Sequence, residues 1–326
     1  MIDLREGLLA SFVSSPICEE VVDGINQGLH QQLVYGLTGS QQSFFMASIA
    51  TAVERPIIVV AHEEGSAKNT LQELSSLLPD REVLFLPKKD LVQAAAFDAG
   101  NQLNRERIKV LAKIINNPKI VVVTGVENLG QRLPCGEVFS KGFIHLKLGQ
   151  LLPPGLLAEK LFKLGYERVD LVEVPGQFSL RGGILDCFSL HQDKPIRIEY
   201  FDDEIDSIRT FDQQTQRSLE QIDNCEIVPA VEFFLEEPEA LNNLVKTASK
   251  AFLKHQSDFH NQGNDEAVDN YTKNYQQLLD SLGSGSFHAK LEQAFSLMPE
   301  YTSFIGEFFP IEPLIFVAEP SRCWEE

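Results

Sequence analysis

The sequence predicts an α/β fold: a parallel-sheet domain, then a small antiparallel α+β domain, then a mostly helical segment. Three observations predict it. Between residues 30 and 125 short apolar runs alternate with helical periods. From 167 to 211 four strand-like runs follow in quick succession, and from about 216 the chain turns acidic and helix-periodic. Alternation of the first kind marks a parallel sheet with helices on its faces, whereas closely spaced strands with turn residues between them mark an antiparallel meander.

In the first region Leu33-Val-Tyr35 reads as a strand that leads through Gly36-Leu-Thr-Gly39-Ser into a helix over 43–53. Strands are expected at 56–61, 83–86 and 119–124, with helices around 66–78 and over 101–116. The last helix carries Leu103, Ile108, Leu111, Ala112 and Ile115 on one stripe. The second region opens with an amphipathic helix over 153–164, followed by strands at 167–174, 177–188, 195–201 and 204–211. The strand breaks are Pro175-Gly176, residues 190–194 and Asp202-Asp203, all turn chemistry. Beyond a polar stretch at 255–270 and a Gly-Ser run at 282–286, Leu314-Ile-Phe-Val-Ala318 reads as a buried parallel strand, an odd place to stop and a sign that the chain is a piece of something longer. The divisions that follow are a degenerate P-loop domain at 25–128, an α+β domain at 129–213, and a mostly helical subdomain from 1–24 and 214–326.

Charge narrows the function. The 28 Lys and Arg against 47 Asp and Glu leave a net charge of −19, which argues against a broad DNA-binding surface, since phosphate backbones are held through Lys and Arg. The five cysteines are far apart and the seven histidines lack metal-ligand spacing, so neither a disulfide framework nor a zinc site is expected. Asp202-Asp203-Glu204 is a charged hairpin turn before it is a metal site, and Phe233-Phe234 and Phe308-Phe309 are core pairs before they are a docking groove. No basic, apolar leader opens the chain and no apolar run approaches a membrane span of about 20 residues, so a soluble, cytoplasmic protein is expected.

The segment Gly36-Leu-Thr-Gly39-Ser-Gln41-Gln42-Ser43 has the outline of a phosphate loop, G-x-x-x-x-G-K-[ST]. The first Gly and the final Ser are present; Gln41 replaces the second Gly and Gln42 the Lys. A positive φ at Gln41 would be strained by its Cβ, and neutral Gln42 cannot balance polyphosphate charge. The loop is read as a dead nucleotide site.

Three stretches carry a family resemblance: Gly36-Leu-Thr-Gly39, the block 176–188 (GQFSLRGGILDCF), and the block 197–212 with Thr215-Gln-Arg-Ser218 after it. They resemble the UvrB-homology module of the bacterial transcription-repair coupling factors, over essentially the whole chain. The resemblance implies a UvrB-like three-domain module (1A, 2 and 1B) whose second domain docks UvrA, and a parent that is an ATP-dependent DNA translocase displacing stalled RNA polymerase. The ATP- and Mg-binding motor and the polymerase- and DNA-binding parts of that parent lie outside this chain, which itself needs no cofactor and is not an enzyme. UvrB clamps DNA with a long hairpin; here Lys88–Gly100 runs almost directly into a helix, with no room for one.

A two-residue hairpin at Pro175-Gly176 would pair 174 with 177. Arg168, Asp170, Val172, Ser179 and Arg181 would then share a polar face, with Val169, Leu171, Phe178 and Leu180 on the core face. The resemblance implies that Arg168 and Arg181 match arginines that UvrB presents to UvrA, with Phe188 as a further contact; another UvrB arginine is Ser179 here. The expected function is recruitment of UvrA by a non-catalytic module. The rival readings are an ATPase or DNA clamp in its own right, and an autoinhibitory module that masks the UvrA site.

Overall fold

A computed structural model describes residues 4–89, 102–235, 238–261 and 301–324, with isolated residues between 268 and 295. It is a mixed α/β structure whose contacts divide it into two units: residues 1–88, 113–131 and 304–326 form the first, 89–112 and 132–303 the second. The expected hairpin-free segment Lys88–Gly100 falls almost wholly outside the described residues, as does the Gly-Ser run at 282–286.

The first unit opens with helices α1 (Leu4–Val13), α2 (Pro16–Asn26) and α3 (Gln41–Ala52). Strand β1 (Ile57–Ala61), α4 (Glu64–Leu77), β2 (Val83–Leu86), α5 (Gln102–Asn116, its first part counted with the second unit) and β3 (Val121–Gly125) follow. The strands are parallel, in the order 314–317, β1, β3, β2. Every residue of β1 is at most 1% exposed, which is why Ile-Ile-Val-Val-Ala reads as a continuous apolar run with no alternation. Phe45, Met46 and Ile49 of α3 and Ala67 and Leu74 of α4 pack with Ile57, Val59 and Val123.

Two expectations fail in this unit. Leu33-Val-Tyr35 forms no strand: Val34 and Leu37 pack into the core while Leu33 and Tyr35 stand in solvent, 80% and 85% exposed. The strand Leu314–Val317 is not buried as its apolar run predicts. It pairs in parallel with β1, Ile57 opposite Leu314, as an edge strand with Ile315 and Val317 half exposed. An edge strand covered on one side keeps its apolar composition without its burial.

The second unit contains β4 (Leu133–Pro134), α6 (Gly136–Lys141), β5 (Ile144–Lys147) and α7 (Pro154–Lys163). Then come β6 (Glu167–Arg168), β7 (Gln177–Arg181), β8 (Ile184–Cys187), β9 (Ile196–Phe201), β10 (Glu204–Phe211), β11 (Ser218–Gln221) and β12 (Asn224–Ile227). Helix α8 (Pro238–Asn261) and β13 (Thr302–Ser303) close it. Strands β6 to β11 form one sheet in chain order, β5 pairs with β12, and β4 with β13. Leu157 and Leu161 of α7 are fully buried. As expected, Asp202-Asp203 is a hairpin turn, with Asp202 at φ +54°, and both Phe pairs are buried. No helix among the described residues is long and apolar enough to cross a membrane.

A buried ion cluster anchors this unit. Glu232, with no exposed side-chain surface, accepts from Arg107 Nε at 2.6 Å, and Lys89 Nζ lies 3.5 Å away. Burial alone would push the Glu232 carboxyl up; Arg107 and then Lys89 outweigh it and hold it at about 2. A carboxylate whose pKa is depressed on folding contributes stability that is present above its unfolded value, near 4.5, and lost as pH falls towards 2. Glu232→Gln is therefore expected to destabilise the protein by roughly 3–5 kcal/mol at pH 7, because it leaves Arg107 buried without its counter-charge. The wild type should lose that advantage between pH 4.5 and 2, so thermal melts of both proteins across this range should converge.

Candidate functional site

The six-stranded sheet has two chemically distinct faces, and register decides which residue lies on which. Cross-strand partners share a face and alternate residues switch faces. Ser179 lies opposite Asp186, and Asp186 opposite Arg197; Arg197 in turn lies opposite Arg209. One row of polar side chains thus crosses four strands. The next row is Arg181, Ile184 and Glu199, followed by Ser207. The alternate residues Phe178, Leu185, Ile198 and Ile208 are at most 1% exposed and make the core face.

This register replaces the expected one. The run 177–188 is two strands, because Gly182-Gly183 closes a two-residue hairpin with Arg181 opposite Ile184. Gly182 has φ +59°, and a Cβ on Gly183 would lie 3.2 Å from the Tyr200 carbonyl oxygen, so glycine suits both positions. Pro175-Gly176 is no hairpin. Glu167 and Arg168 pair with Gln177 and Phe178 in parallel, and residues 169–176 arch from one strand to the other. The arch is pinned where Ser179 Oγ donates to the Asp170 carbonyl at 3.1 Å and Gln216 Nε2 to that of Val172 at 3.1 Å.

The consequences for the candidate residues are direct. Arg181 is on the polar face, with its side chain half exposed. Arg168 is exposed too, but it aligns with Phe178, so the two arginines fall on opposite sides of the sheet. Val172 and Ser179, expected to be exposed, are buried, and Leu171, expected in the core, is 40% exposed. Phe188 is 3% exposed and packs with Val172, Phe211 and Val169 beneath the arch, which leaves it almost no surface to offer a partner.

The residues that sequence reasoning missed are those that hold Arg181. Asp186 has no exposed side-chain surface. It accepts from Arg181 Nη2 at 2.8 Å, and from Arg197 Nε at 2.7 Å and Nη2 at 2.8 Å. Hydrogen bonding to Asp186 holds the Arg197 guanidinium above its ordinary pKa against the opposing effect of burial. The same guanidinium sits 4.7 Å over the Phe211 ring and donates to the Gln216 carbonyl. The Gly-Gly pair inside 177–188 is the sequence signal: a hairpin there puts Arg181 and Asp186 on one face, diagonal to each other.

The loop from Gly36 to Ser43, expected to be a dead phosphate loop, is braced by its own side chains. Gly36 and Gly39 take positive φ, +86° and +54°, whereas Gln41 is the first residue of α3 and carries no such strain. The Thr38 amide, a group that would face an anion in a working loop, donates to Gln41 Oε1 at 3.1 Å. Gln42 Nε2 reaches back to the Leu37 carbonyl at 3.5 Å, and Ser43 Oγ donates to the Glu73 carboxylate. Beside it, Ser40, Ser43, Phe44, Glu73 and Leu77 line an open cleft of about 320 Å³ between α3 and α4. No group of three or more His, Cys, Asp or Glu side chains among the described residues is placed to hold a metal.

Comparison with known proteins gives this geometry its context. The model of the UvrB interaction domain matches residues 144–233, a stretch that contains the whole six-stranded sheet. The transcription-repair-coupling factor of Bacillus subtilis is 32% identical over 94% of this chain and 26% of its own length. The UvrABC system protein B of Thermotoga neapolitana is 31% identical over 81% of this chain and 42% of its own, and that of Fervidobacterium nodosum 31% over 70% and 36%. The chain thus spans about a quarter of the first relative and less than half of the others. With a UvrB interaction domain at its centre and both kinds of relative matching most of its length, the chain belongs to the UvrB-homology family that transcription-repair-coupling factors and UvrB proteins share.

Proposed function

We propose that this chain is a non-catalytic docking module of DNA repair that recruits UvrA through the Arg181 end of its six-stranded sheet. The observation that carries the reading is the coincidence of the UvrB interaction domain match with the sheet on which Arg181 is rigidly presented. A guanidinium has five N–H donors, and one Nη2 contact to Asp186 leaves the others for a partner carboxylate. Because Asp186 already orders the side chain, less rotamer entropy remains to be lost on binding. In a longer protein of the coupling-factor kind, RNA polymerase, DNA and ATP with Mg would be engaged by other segments.

Binding of purified UvrA should weaken about tenfold or more in Arg181→Ala, the range of a central arginine hot spot. Arg168→Ala, on the other side of the sheet, should cost clearly less. Equal affinity of Arg181→Ala and wild type would sink the assignment. Arg181→Glu is a poorer probe, since it places a second carboxylate beside buried Asp186 and threatens the fold itself.

The absence of catalysis rests on the loop, in which Gln41 and Gln42 replace the motif's Gly and Lys and turn back on the backbone. Titration calorimetry with Mg-ATP should give no heat of binding up to millimolar nucleotide. Micromolar affinity would overturn this part of the reading and favour a UvrB-like nucleotide-binding subunit.

A further inference from the structure

Two large apolar side chains stand in solvent on ordered backbone next to the Arg181 row. Phe201 is 74% exposed and Leu151 76%. They belong to one cross-strand row: Phe201 lies opposite Glu204 across the Asp202-Asp203 turn, and Glu204 forms a bridge with Leu151. The backbone at Leu151 is held on both sides, Ile205 N–H donating to the Gln150 carbonyl at 3.0 Å and Leu152 N–H to that of Asp203 at 2.8 Å. Phe201 is two residues from Glu199, which lies opposite Ile184, itself opposite Arg181. By alternation all of these are on the same face. Ile184 is also 38% exposed.

We infer that the docking face does not end at Arg181 but runs across the sheet through Ile184 to Phe201 and Leu151. It takes a protein partner that offers an acidic group to Arg181, an apolar recess to Phe201 and Leu151, and basic groups to Glu204 and its neighbours. The inference rests on the docking reading above and assigns the same partner, UvrA, a second point of contact. From β7 to the segment at Leu151 is four strand spacings, about 19 Å, the scale of a standard interface patch. Charge argues for protein: the exposed acids Glu204, Asp202 and Asp203 flank Phe201 and would repel a phosphate backbone approaching to stack a base on it. An exposed aromatic between a cationic and an acidic end also fits the anchor-and-rim composition of protein interfaces.

The test measures UvrA affinity of Phe201→Ser, Leu151→Ser and Arg181→Ala on the full chain, with melting temperature as a folding control. Both apolar residues are surface-exposed, so their variants should melt like wild type. The inference expects Phe201→Ser to lose about tenfold in affinity and Leu151→Ser several-fold. Loss in Arg181→Ala with wild-type affinity in Phe201→Ser overturns the extension and leaves the docking reading standing. Wild-type affinity in all three overturns both. If Phe201→Ser instead abolishes self-association in sedimentation, or binding of a labelled single-stranded oligonucleotide, while UvrA affinity holds, the row serves another occupant and the inference fails.

Discussion

The carboxylate of Asp186 is the constraint on which the polar face depends. A fully buried carboxylate is costly to desolvate and is tolerated only when its lone pairs are met by cationic donors with good geometry. Here β7 supplies one donor and β9 two, so a residue on β8 fastens both neighbouring strands. The same contacts fix the direction of Arg181 and, through Arg197, bring a guanidinium over Phe211 at the mouth of the arch. Register, arginine presentation and arch closure are therefore linked through one side chain.

The two units illustrate different uses of polar groups. In the second, charges are buried in satisfied clusters, Asp186 with its arginines and Glu232 with Arg107 and Lys89. In the first, a loop shaped like a phosphate cradle has turned its donors inward. Gln41 provides the carbonyl oxygen that an anion would otherwise bring, so the Thr38 amide stays satisfied without a ligand. Gln41 and Gln42 are then parts of a consistent local structure at the head of α3.

The exposed apolar residues arise in two different ways. Leu33 and Tyr35 are exposed on a segment that joins no strand among the described residues and turns Val34 and Leu37 to the core. Phe201 and Leu151 are exposed although both lie on paired backbone.

Composition and periodicity by themselves determined the α/β class, most of the helices and strands of the first unit, the helix at 154–163 and the Asp202-Asp203 turn. Each of these is local: a continuous apolar run, a 3.6-residue stripe or a turn pair acts over a few residues. What only the tertiary structure decided is pairing. A strand's face has a period of two, so which turn closes a hairpin sets every assignment across it: with Gly182-Gly183 as the turn, Arg168 leaves Arg181's face, while Ser179 keeps that face but is buried under the arch. The same non-local pairing put Leu314–Val317 beside β1, Arg168 on the far side from Arg181, and Phe188 under the arch. The arginines could be named from the sequence, but their faces could not, because a side chain's face is set by the strand it pairs with.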